Sequence, residues 1–273
     1  MGSMKGRVAV VTGATRGIGK GCALELAEAG ATVYVTGRTL EAGNHPLPGT
    51  LGETVAEIDA AGGVAIPVAC DHTEDDQVRA LFERVRSEQG GLDVLVHSAY
   101  ADPGIENSAP FWETPLDWYD TLCDVGTRGA YTAAACAVPL MLGREGGLIV
   151  NVSSLGAAFF FQHVAYGMGK AALDKLTRDA GKQLRDHGVA VVSIWPYYVK
   201  TEAVLKLVAD GADLPLEGAE SQRFVGRGVV ALAGDPDVMK RSGKAWNSRE
   251  LADAYDFVDV DGGLPNSGPA PRR

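Results

Sequence analysis

Short runs of apolar, mostly β-branched residues alternate along this chain with longer segments of helical periodicity, and this alternation constrains the fold most strongly. The runs are continuous, which is typical of parallel strands covered by helices on both faces. Repeated strand–helix–strand units predict a single α/β domain with a doubly wound parallel sheet. About seven strands are expected in this sheet, at residues 8–11, 32–36, 64–68, 94–96, 148–152, 189–194 and 257–260.

The segments between the strands are predicted to be helices and loops of one domain. Helices are expected up to Ala29 and at about 51–61, 75–89, 117–141, 165–187 and within 229–260. Loops are expected at 40–50 and 101–115, where Pro103 lies, and 202–228 is irregular or helical. No Pro/Gly/Ser-rich linker interrupts the pattern, so one domain is expected over 6–265, followed by a C-terminal tail at 266–273. Residues 1–3 are typical of a sequence added by cloning.

Composition excludes several classes of protein and partner. The 273 residues are 46% hydrophobic and 22% charged, as expected for a globular chain with a large core. A formal charge of −10 argues against nucleic acid or an anionic membrane as a partner. No apolar run reaches the ~20 residues that span a bilayer, and no leader segment precedes the first strand. The scattered cysteines form no CxxC pair, so a cytoplasmic protein with free thiols is expected.

A glycine-rich turn follows the first predicted strand and opens the first helix. It reads Thr12-Gly13-Ala14-Thr15-Arg16-Gly17-Ile18-Gly19. Glycines let the backbone approach a pyrophosphate closely, and the helix N-terminus offers unpaired N–H groups and partial positive charge. An ordinary tight turn also contains glycine, but the strand before it and the helix after it favour a Rossmann-type site for a dinucleotide. The residues expected to bind the cofactor here are Gly13, Thr15, Arg16, Gly17, Ile18 and Gly19.

The end of the second strand indicates which cofactor binds. An acidic residue there would accept hydrogen bonds from a ribose diol and repel a 2′-phosphate, but the segment reads Thr36-Gly37-Arg38-Thr39. Arg38 and Arg16 are expected to form charge-assisted hydrogen bonds with that phosphate. The alternative is that both arginines are only exposed to solvent. The sequence therefore predicts NADP(H) in preference to NAD(H).

Two further motifs lie in the second half of the chain. Ser153 and Ser154 end the strand predicted at 148–152, and Tyr166 and Lys170 lie four residues apart on the next helix. Together with the glycine-rich turn, these motifs resemble the short-chain dehydrogenase/reductase family over about residues 6–205. The resemblance implies hydride transfer between the cofactor and a carbonyl compound or its alcohol. It also implies Tyr166 as acid and base, Lys170 beside it, and a serine that orients the substrate.

Elementary chemistry supports these implied roles. Tyr166 and Lys170 share one helix face. A free tyrosine has a pKa of about 10, and a neighbouring ammonium group is expected to lower the pKa of Tyr166 so that it exchanges a proton with the substrate oxygen. The strand end selects Ser154 as the serine. The family's usual spacing to the tyrosine selects Ser153, which stays the alternative.

The resemblance also implies cofactor contacts at single positions. Asp71 would accept a hydrogen bond from the adenine amino group, or cap the following helix. Ser98 would contact the cofactor through its backbone, and Ala99 matches the family at the next position. In the segment Pro196–Thr201, a contact is expected at Pro196, and Val199 and Thr201 would hold the nicotinamide carboxamide.

The chain departs from the family pattern at three places. His97-Ser98-Ala99-Tyr100 stands where members have Asn-Asn-Ala-Gly, and Tyr197 replaces a glycine. Gly126 stands where members have an asparagine that helps to hold a water linked to the lysine. The Gly126 carbonyl is expected to hold this water, in a modified proton relay.

Aromatic side chains near the carboxyl ends of the strands predict a small hydrophobic carbonyl or alcohol as substrate, although each can instead belong to the core. They are Phe111, Trp112, Trp118, Phe159, Phe160, Phe161, Trp195, Tyr197 and Tyr198. No histidine shows metal-ligand spacing, so no catalytic metal is expected. The resemblance implies a homodimer or homotetramer, packed through the helices at 117–141 and 165–187. Two alternative functions are a non-catalytic NADP-binding sensor or scaffold and a lyase or epimerase on the same fold.

Overall fold

The chain forms one twisted parallel sheet with helices on both faces. The structure is a computed structural model that describes residues 4–101 and 109–271, so the predictions for residues 1–3 and Pro103 lie outside the described residues. The strands are β1 (Val8–Thr12), β2 (Thr32–Gly37), β3 (Val64–Ala69), β4 (Val94–His97), β5 (Gly147–Val152), β6 (Val189–Trp195) and β7 (Lys244–Asn247). Their order across the described sheet is β3-β2-β1-β4-β5-β6-β7, with every neighbouring pair parallel. The predicted doubly wound Rossmann-type fold is confirmed.

Helices cover the two faces of the sheet unequally. Those in the described residues are α1 (Gly17–Glu28), α2 (Leu51–Ala60), α3 (Asp75–Gln89), α4 (Asp117–Cys123), α5 (Gly129–Met141), α6 (Val164–Gln183), α7 (Glu202–Ala209), α8 (Phe224–Ala233) and α9 (Ser248–Tyr255). One apolar cluster joins the sheet to α1, α2, α8 and α9, and a second joins it to α3 and α5. No helix in the described part of the chain is long and apolar enough to cross a membrane.

The continuous apolar runs follow from this double coverage. Successive side chains of a strand point to opposite faces. In β2, Val33 and Val35 pack into the first cluster, whereas Tyr34 packs into the second. The edge strand β3 is less buried and contains Pro67, which lacks an N–H donor and is tolerated at an edge. Burial on both faces leaves the strand ends as the place for polar chemistry.

The last predicted strand is wrong in position. Residues 257–260 form no strand: Phe257 packs against Phe224, and the Asp259 carboxylate accepts the backbone N–H groups of Ser221 and Val260. The seventh strand is β7, which pairs with the end of β6. Its sequence, Lys244-Ala245-Trp246-Asn247, contains no apolar run, because β7 is short and lies at the sheet edge.

The long helix predicted at 117–141 is continuous but irregular. Between α4 and α5, one π-helical turn covers Asp124–Arg128. The helix predicted to reach residue 187 ends at Gln183, and a 3₁₀ turn at Arg185–His187 leads to Gly188, whose φ is +70°. Such π turns occur often at functional sites, and this one contains Gly126.

The contact between α1 and α8 depends on two glycines. A Cβ on Gly21 would lie 1.8 Å from the Gln222 carbonyl oxygen, and one on Gly226 would lie 2.7 Å from the Gly21 oxygen. The helix backbones therefore touch directly.

Gly21→Ala is expected to lower the free energy of unfolding by about 3 kcal/mol or more, because the backbones must separate. Gly52→Ala is the control, since a Cβ on Gly52 in α2 meets nothing closer than the Thr50 hydroxyl at 3.9 Å. This control is expected to stabilise by up to about 1 kcal/mol. Urea unfolding of both variants tests the difference, and equal effects would contradict the packing described.

Candidate active site

The glycine-rich turn between β1 and α1 forms a close-fitting cradle. A Cβ on Gly13 would lie 2.7 Å from the Ala99 Cα, and a Cβ on Gly19 would lie 2.2 Å from the Gly13 oxygen. Gly13 and Gly17 adopt φ values of +67° and +56°, which side chains disfavour. The side chain of Arg16, the residue before α1, makes no capping hydrogen bond. Bare backbone at the start of a helix fits the pyrophosphate of a dinucleotide cofactor.

Glu202, the first residue of α7, contacts this cradle, and the sequence did not predict this contact. Its Oε2 accepts the Gly17 N–H at 2.9 Å, across 185 residues of sequence. The preceding residue, Thr201, caps α7 by accepting the Val204 N–H at 3.3 Å. The Glu202 carboxylate thus occupies one N–H donor at the start of α1, where the helix dipole favours an anion.

Asp71 and Arg38 lie together at the expected adenosine end. Their side chains form an ion pair at 3.5 Å, and the Arg38 side chain is 57% exposed. Asp71 also accepts the Thr73 backbone N–H at 3.0 Å, as the capping alternative predicts. Burial alone would raise the pKa of Asp71, but the Thr73 hydrogen bonds and the Arg38 charge together lower it below its ordinary value.

Arg16 has partners other than the expected phosphate. Its guanidinium donates to the carbonyl oxygens of Pro48 at 2.8 Å and Gly49 at 2.7 Å, and to the Thr39 hydroxyl at 3.2 Å. These bonds fasten the loop after β2 against the glycine-rich turn. Arg38 is thus the more accessible of the two arginines.

Thr12 links the turn after β1 to the turn after β4. Its Oγ1 accepts the backbone N–H groups of Ser98 at 3.1 Å and Ala99 at 3.0 Å, so its own proton is directed to His97 Nδ1 at 3.2 Å. His97 then carries its proton on Nε2 and donates to the Gly126 carbonyl at 2.8 Å. Burial lowers the pKa of His97 to about 3, which keeps the ring neutral.

This bond changes the setting of the expected water at Gly126. The π turn leaves the Gly126 carbonyl facing His97. A Cβ on Gly126 would meet nothing within 4 Å, so space remains where the family has an asparagine side chain. The modified proton relay stays a prediction, and the Gly126 carbonyl expected to hold its water also accepts a hydrogen bond from the His97 imidazole.

Ser154, Tyr166 and Lys170 come together where β5 ends beside α6. The Ser154 hydroxyl accepts the Gly156 N–H at 3.0 Å and lies beside the Tyr166 phenol, whose pKa it acts to lower. Lys170 Nζ lies 5.5 Å from the Tyr166 ring centroid and donates to the Val152 carbonyl at 3.0 Å.

Ser153 points away from the phenol and donates to the Lys170 backbone carbonyl at 3.2 Å. Of the two serines, Ser154 is therefore the one beside Tyr166. A Cβ on Gly156 would lie 2.8 Å from the Tyr166 ring and 3.1 Å from Ser154 Oγ, so glycine permits this approach.

Burial dominates the electrostatics of this group. It lowers the pKa of Lys170 to about 8, although the Asp174 charge acts in the opposite direction. It raises the pKa of Tyr166 despite the hydrogen bond from Ser154. In this structure the pKa of Tyr166 is not lowered as expected, because removing the phenolate from water costs more than the Ser154 hydroxyl returns.

Asp174 was not predicted, although it continues the four-residue spacing of Tyr166 and Lys170 along α6. Its Oδ2 accepts the Trp195 indole N–H at 3.0 Å. Burial raises the pKa of Asp174, while hydrogen bonds and Lys170 oppose that rise. Trp195 is therefore an interior residue and not part of an open pocket.

Aromatic rings surround Tyr166 on its open side. Phe161 lies 6.2 Å from Tyr166 and 6.5 Å from Tyr198, and Tyr100 lies 6.1 Å from Tyr166, measured between ring centroids. Tyr197 and Tyr198 are in edge contact at 4.9 Å. Within residues 4–101 and 109–271, no group of three or more His, Cys, Asp or Glu side chains could hold a metal ion.

Comparison with known proteins decides the family. The model of the short chain dehydrogenase family matches residues 7–211. The chain belongs to the short-chain dehydrogenase/reductase family. This membership supports an oxidoreductase activity.

Individual relatives agree with this assignment. Mouse dehydrogenase/reductase SDR family member 1 is 44% identical, over 95% of this chain and 85% of the mouse protein, which confirms the predicted resemblance. A short chain dehydrogenase from Mycobacterium thermoresistibile superposes with a TM-score of 0.83 at 27% identity, over 97% of this chain and 93% of that one. A metagenomic short-chain oxidoreductase in complex with NADP has a TM-score of 0.69 at 30% identity, over 85% and 92% of the two chains.

Lys170→Met is expected to remove a pH dependence of stability. The pKa of Lys170 is about 8 in the folded protein and about 10.5 in the unfolded chain, so between these values the unfolded chain binds more protons. Wild-type stability therefore gains up to about 3 kcal/mol from Lys170 as pH rises through this window. Urea unfolding at pH 8 and 10.5 measures the gain, with Lys175→Met as the control for an exposed lysine of α6. Parallel pH profiles for wild type and Lys170→Met would contradict the assigned burial.

Proposed function

We propose that this protein is an NADP(H)-dependent oxidoreductase that interconverts a hydrophobic ketone or aldehyde and its alcohol. The observation that carries the proposal is the grouping of three side chains where β5 ends: the Ser154 hydroxyl lies beside Tyr166, and Lys170 Nζ lies 5.5 Å from the centroid of the Tyr166 ring. A protein that only binds NADP has no use for a buried lysine, since its desolvation destabilises the fold.

Three side chains have different roles in transferring a proton to the substrate oxygen. Tyr166, with its raised pKa, is protonated at neutral pH and can donate to a carbonyl oxygen. Ser154 donates a second hydrogen bond to that oxygen and orients it. Lys170 stabilises the phenolate that remains. A nicotinamide cofactor, bound at the cradle and at Val199 and Thr201, supplies the hydride.

The choice of NADP(H) is supported by Arg38. This exposed guanidinium follows β2, where a carboxylate would favour NAD(H). A relative at 30% identity is described in complex with NADP. Asp71 holds Arg38 at this position, so its carboxylate orients the arginine.

An apolar substrate is supported by the aromatic rings around Tyr166. Tyr100 and Phe161 present carbon surface beside the phenol, and Tyr198 contacts Phe161. Further apolar surface lies on Tyr131 of α5 and Met168 of α6, which are 64% and 51% exposed. We place the contacts of a homodimer or homotetramer on these two helices, in a cytoplasmic protein.

Ser154→Ala is expected to lower kcat about 100-fold, because it removes a donor to the substrate oxygen. Ser153→Ala is the matched control and is expected to change kcat less than threefold, since Ser153 faces the Lys170 carbonyl. NADPH absorbance with a panel of hydrophobic ketones and aldehydes measures both, and Tyr166→Phe is expected to abolish turnover. Undiminished turnover in Tyr166→Phe would contradict the mechanism.

Arg38→Asp is expected to weaken NADPH binding about 100-fold and NADH binding little, since only NADPH carries the 2′-phosphate. Arg86→Asp, which makes the same charge change on α3, is the control. Titration of cofactor fluorescence gives both dissociation constants. Equal weakening of the two cofactors would refute the assignment of Arg38.

A further inference from the structure

Glu220 is a fully buried acidic residue that none of the predicted roles includes. One carboxylate oxygen, Oε1, accepts the Tyr197 backbone N–H at 2.8 Å and the Ser248 hydroxyl. The other oxygen, Oε2, is buried without a hydrogen-bond partner. Burying a carboxylate whose second oxygen has no partner disfavours its charged form.

The backbone of Glu220 holds the same segment as its side chain. Its N–H donates to the Tyr198 carbonyl at 2.7 Å, and its carbonyl accepts the Lys200 N–H at 2.9 Å. Val199, between these partners, forms an isolated parallel bridge with Glu220. One residue thus fixes the segment 197–200 from Tyr197 to Lys200.

This segment leads to the positions expected to hold the nicotinamide end of the cofactor. It starts just after β6 and ends beside Thr201, whose hydroxyl caps α7. Tyr197 stands where the family has glycine, and it has a larger side chain to place. The hydrogen bonds of Glu220 to this segment, called the clamp below, restrain the backbone of Tyr197 directly. They therefore offset the larger side chain at this position.

We propose that Glu220 is a positioning residue that holds the segment 197–200 in the conformation that accepts the nicotinamide end of the cofactor. The inference rests on the proposed function for its ligand, but the clamp itself is testable without cofactor. Glu220 acts through the backbone of its neighbours and touches neither cofactor nor substrate.

The surroundings of Glu220 give the clamp a pH dependence. Ser248 faces it from the start of α9, the Tyr197 N–H faces it from the segment, and the negative charge of Asp259 acts on it from 257–260. Burial raises the pKa of Glu220 to about 7. Hydrogen bonds to an ionised acceptor are the stronger ones, so the clamp tightens as pH rises through 7.

Glu220→Ala is expected to raise the dissociation constant of NADPH about tenfold at pH 8, since the Tyr197 N–H loses its acceptor. Glu220→Gln keeps an acceptor oxygen and is expected to bind within about threefold of wild type, without the tightening between pH 6 and 8. Titration of NADPH fluorescence at both pH values measures these changes.

Asp93→Ala is the matched control for loss of stability alone. Asp93 is also a buried carboxylate, and it accepts the Val8 backbone N–H at 2.8 Å. It directly precedes β4, so it lies at the amino-terminal ends of the strands, opposite the candidate site. This variant is expected to lose stability and keep the wild-type dissociation constant. A weakening equal to that of Glu220→Ala would overturn the inference.

Hydrogen exchange of the cofactor-free protein separates this inference from the proposed function. Glu220→Ala is expected to speed exchange in a peptide spanning 196–201 at least tenfold, while β6 keeps its protection. Unchanged exchange and unchanged NADPH binding would overturn the clamp. Faster exchange in a protein that binds no nicotinamide cofactor in any form would preserve the clamp, overturn its assignment to the nicotinamide and refute the proposed function.

Discussion

Burial of the sheet on both faces is the constraint on which the candidate site depends. Residues such as Val33 and Tyr34 are fully buried on opposite faces of one strand, so apolar side chains fill the space on both sides of the sheet. Parallel strands all end at one edge, and there the chain places its glycine-rich turn, Arg38, His97, Ser154 and the segment after β6. The site is thus assembled from the turns that follow β1, β2, β4, β5 and β6.

Partial burial at this edge sets the chemistry of the reactive groups. Lys170 keeps one strong partner, the Val152 carbonyl, and its charge is felt by the Tyr166 ring in a medium with little water. The same burial makes both charged forms costly: it raises the pKa of Tyr166, so the phenol is protonated at neutral pH, and it lowers the pKa of Lys170 to about 8, so the lysine still carries its charge there. In the proposed reaction, Lys170 would compensate a charge that develops on the phenol.

The sequence predicts those parts of the fold that local pattern determines. Apolar runs are long enough in β1, β2 and β6 to be recognised, whereas β7 has only four residues at an edge and no apolar run. Local pattern also gives Tyr166 and Lys170, because helical spacing alone puts them on one face. The choice between Ser153 and Ser154 depends on how β5 ends against α6, which spacing cannot determine.

Contacts between distant segments are what the sequence could not supply. Arg16 was expected at a phosphate because it lies in the glycine-rich turn, yet three acceptors in the loop after β2 engage its guanidinium. Glu202 and Glu220 gave no local signal, since a lone acidic residue is usually exposed.

Both acidic residues belong to the connection between β6 and α8, and they meet the cofactor edge at opposite ends. Glu202 reaches the start of α1, and Glu220 reaches the segment after β6. Each bond joins this connection to a part of the site: the first turn of α1 or the residues that follow β6. The stretch between them, from α7 to residue 219, makes no such side-chain hydrogen bond to the sheet among the described residues, so the bonds of Glu202 and Glu220 hold its two ends to the site.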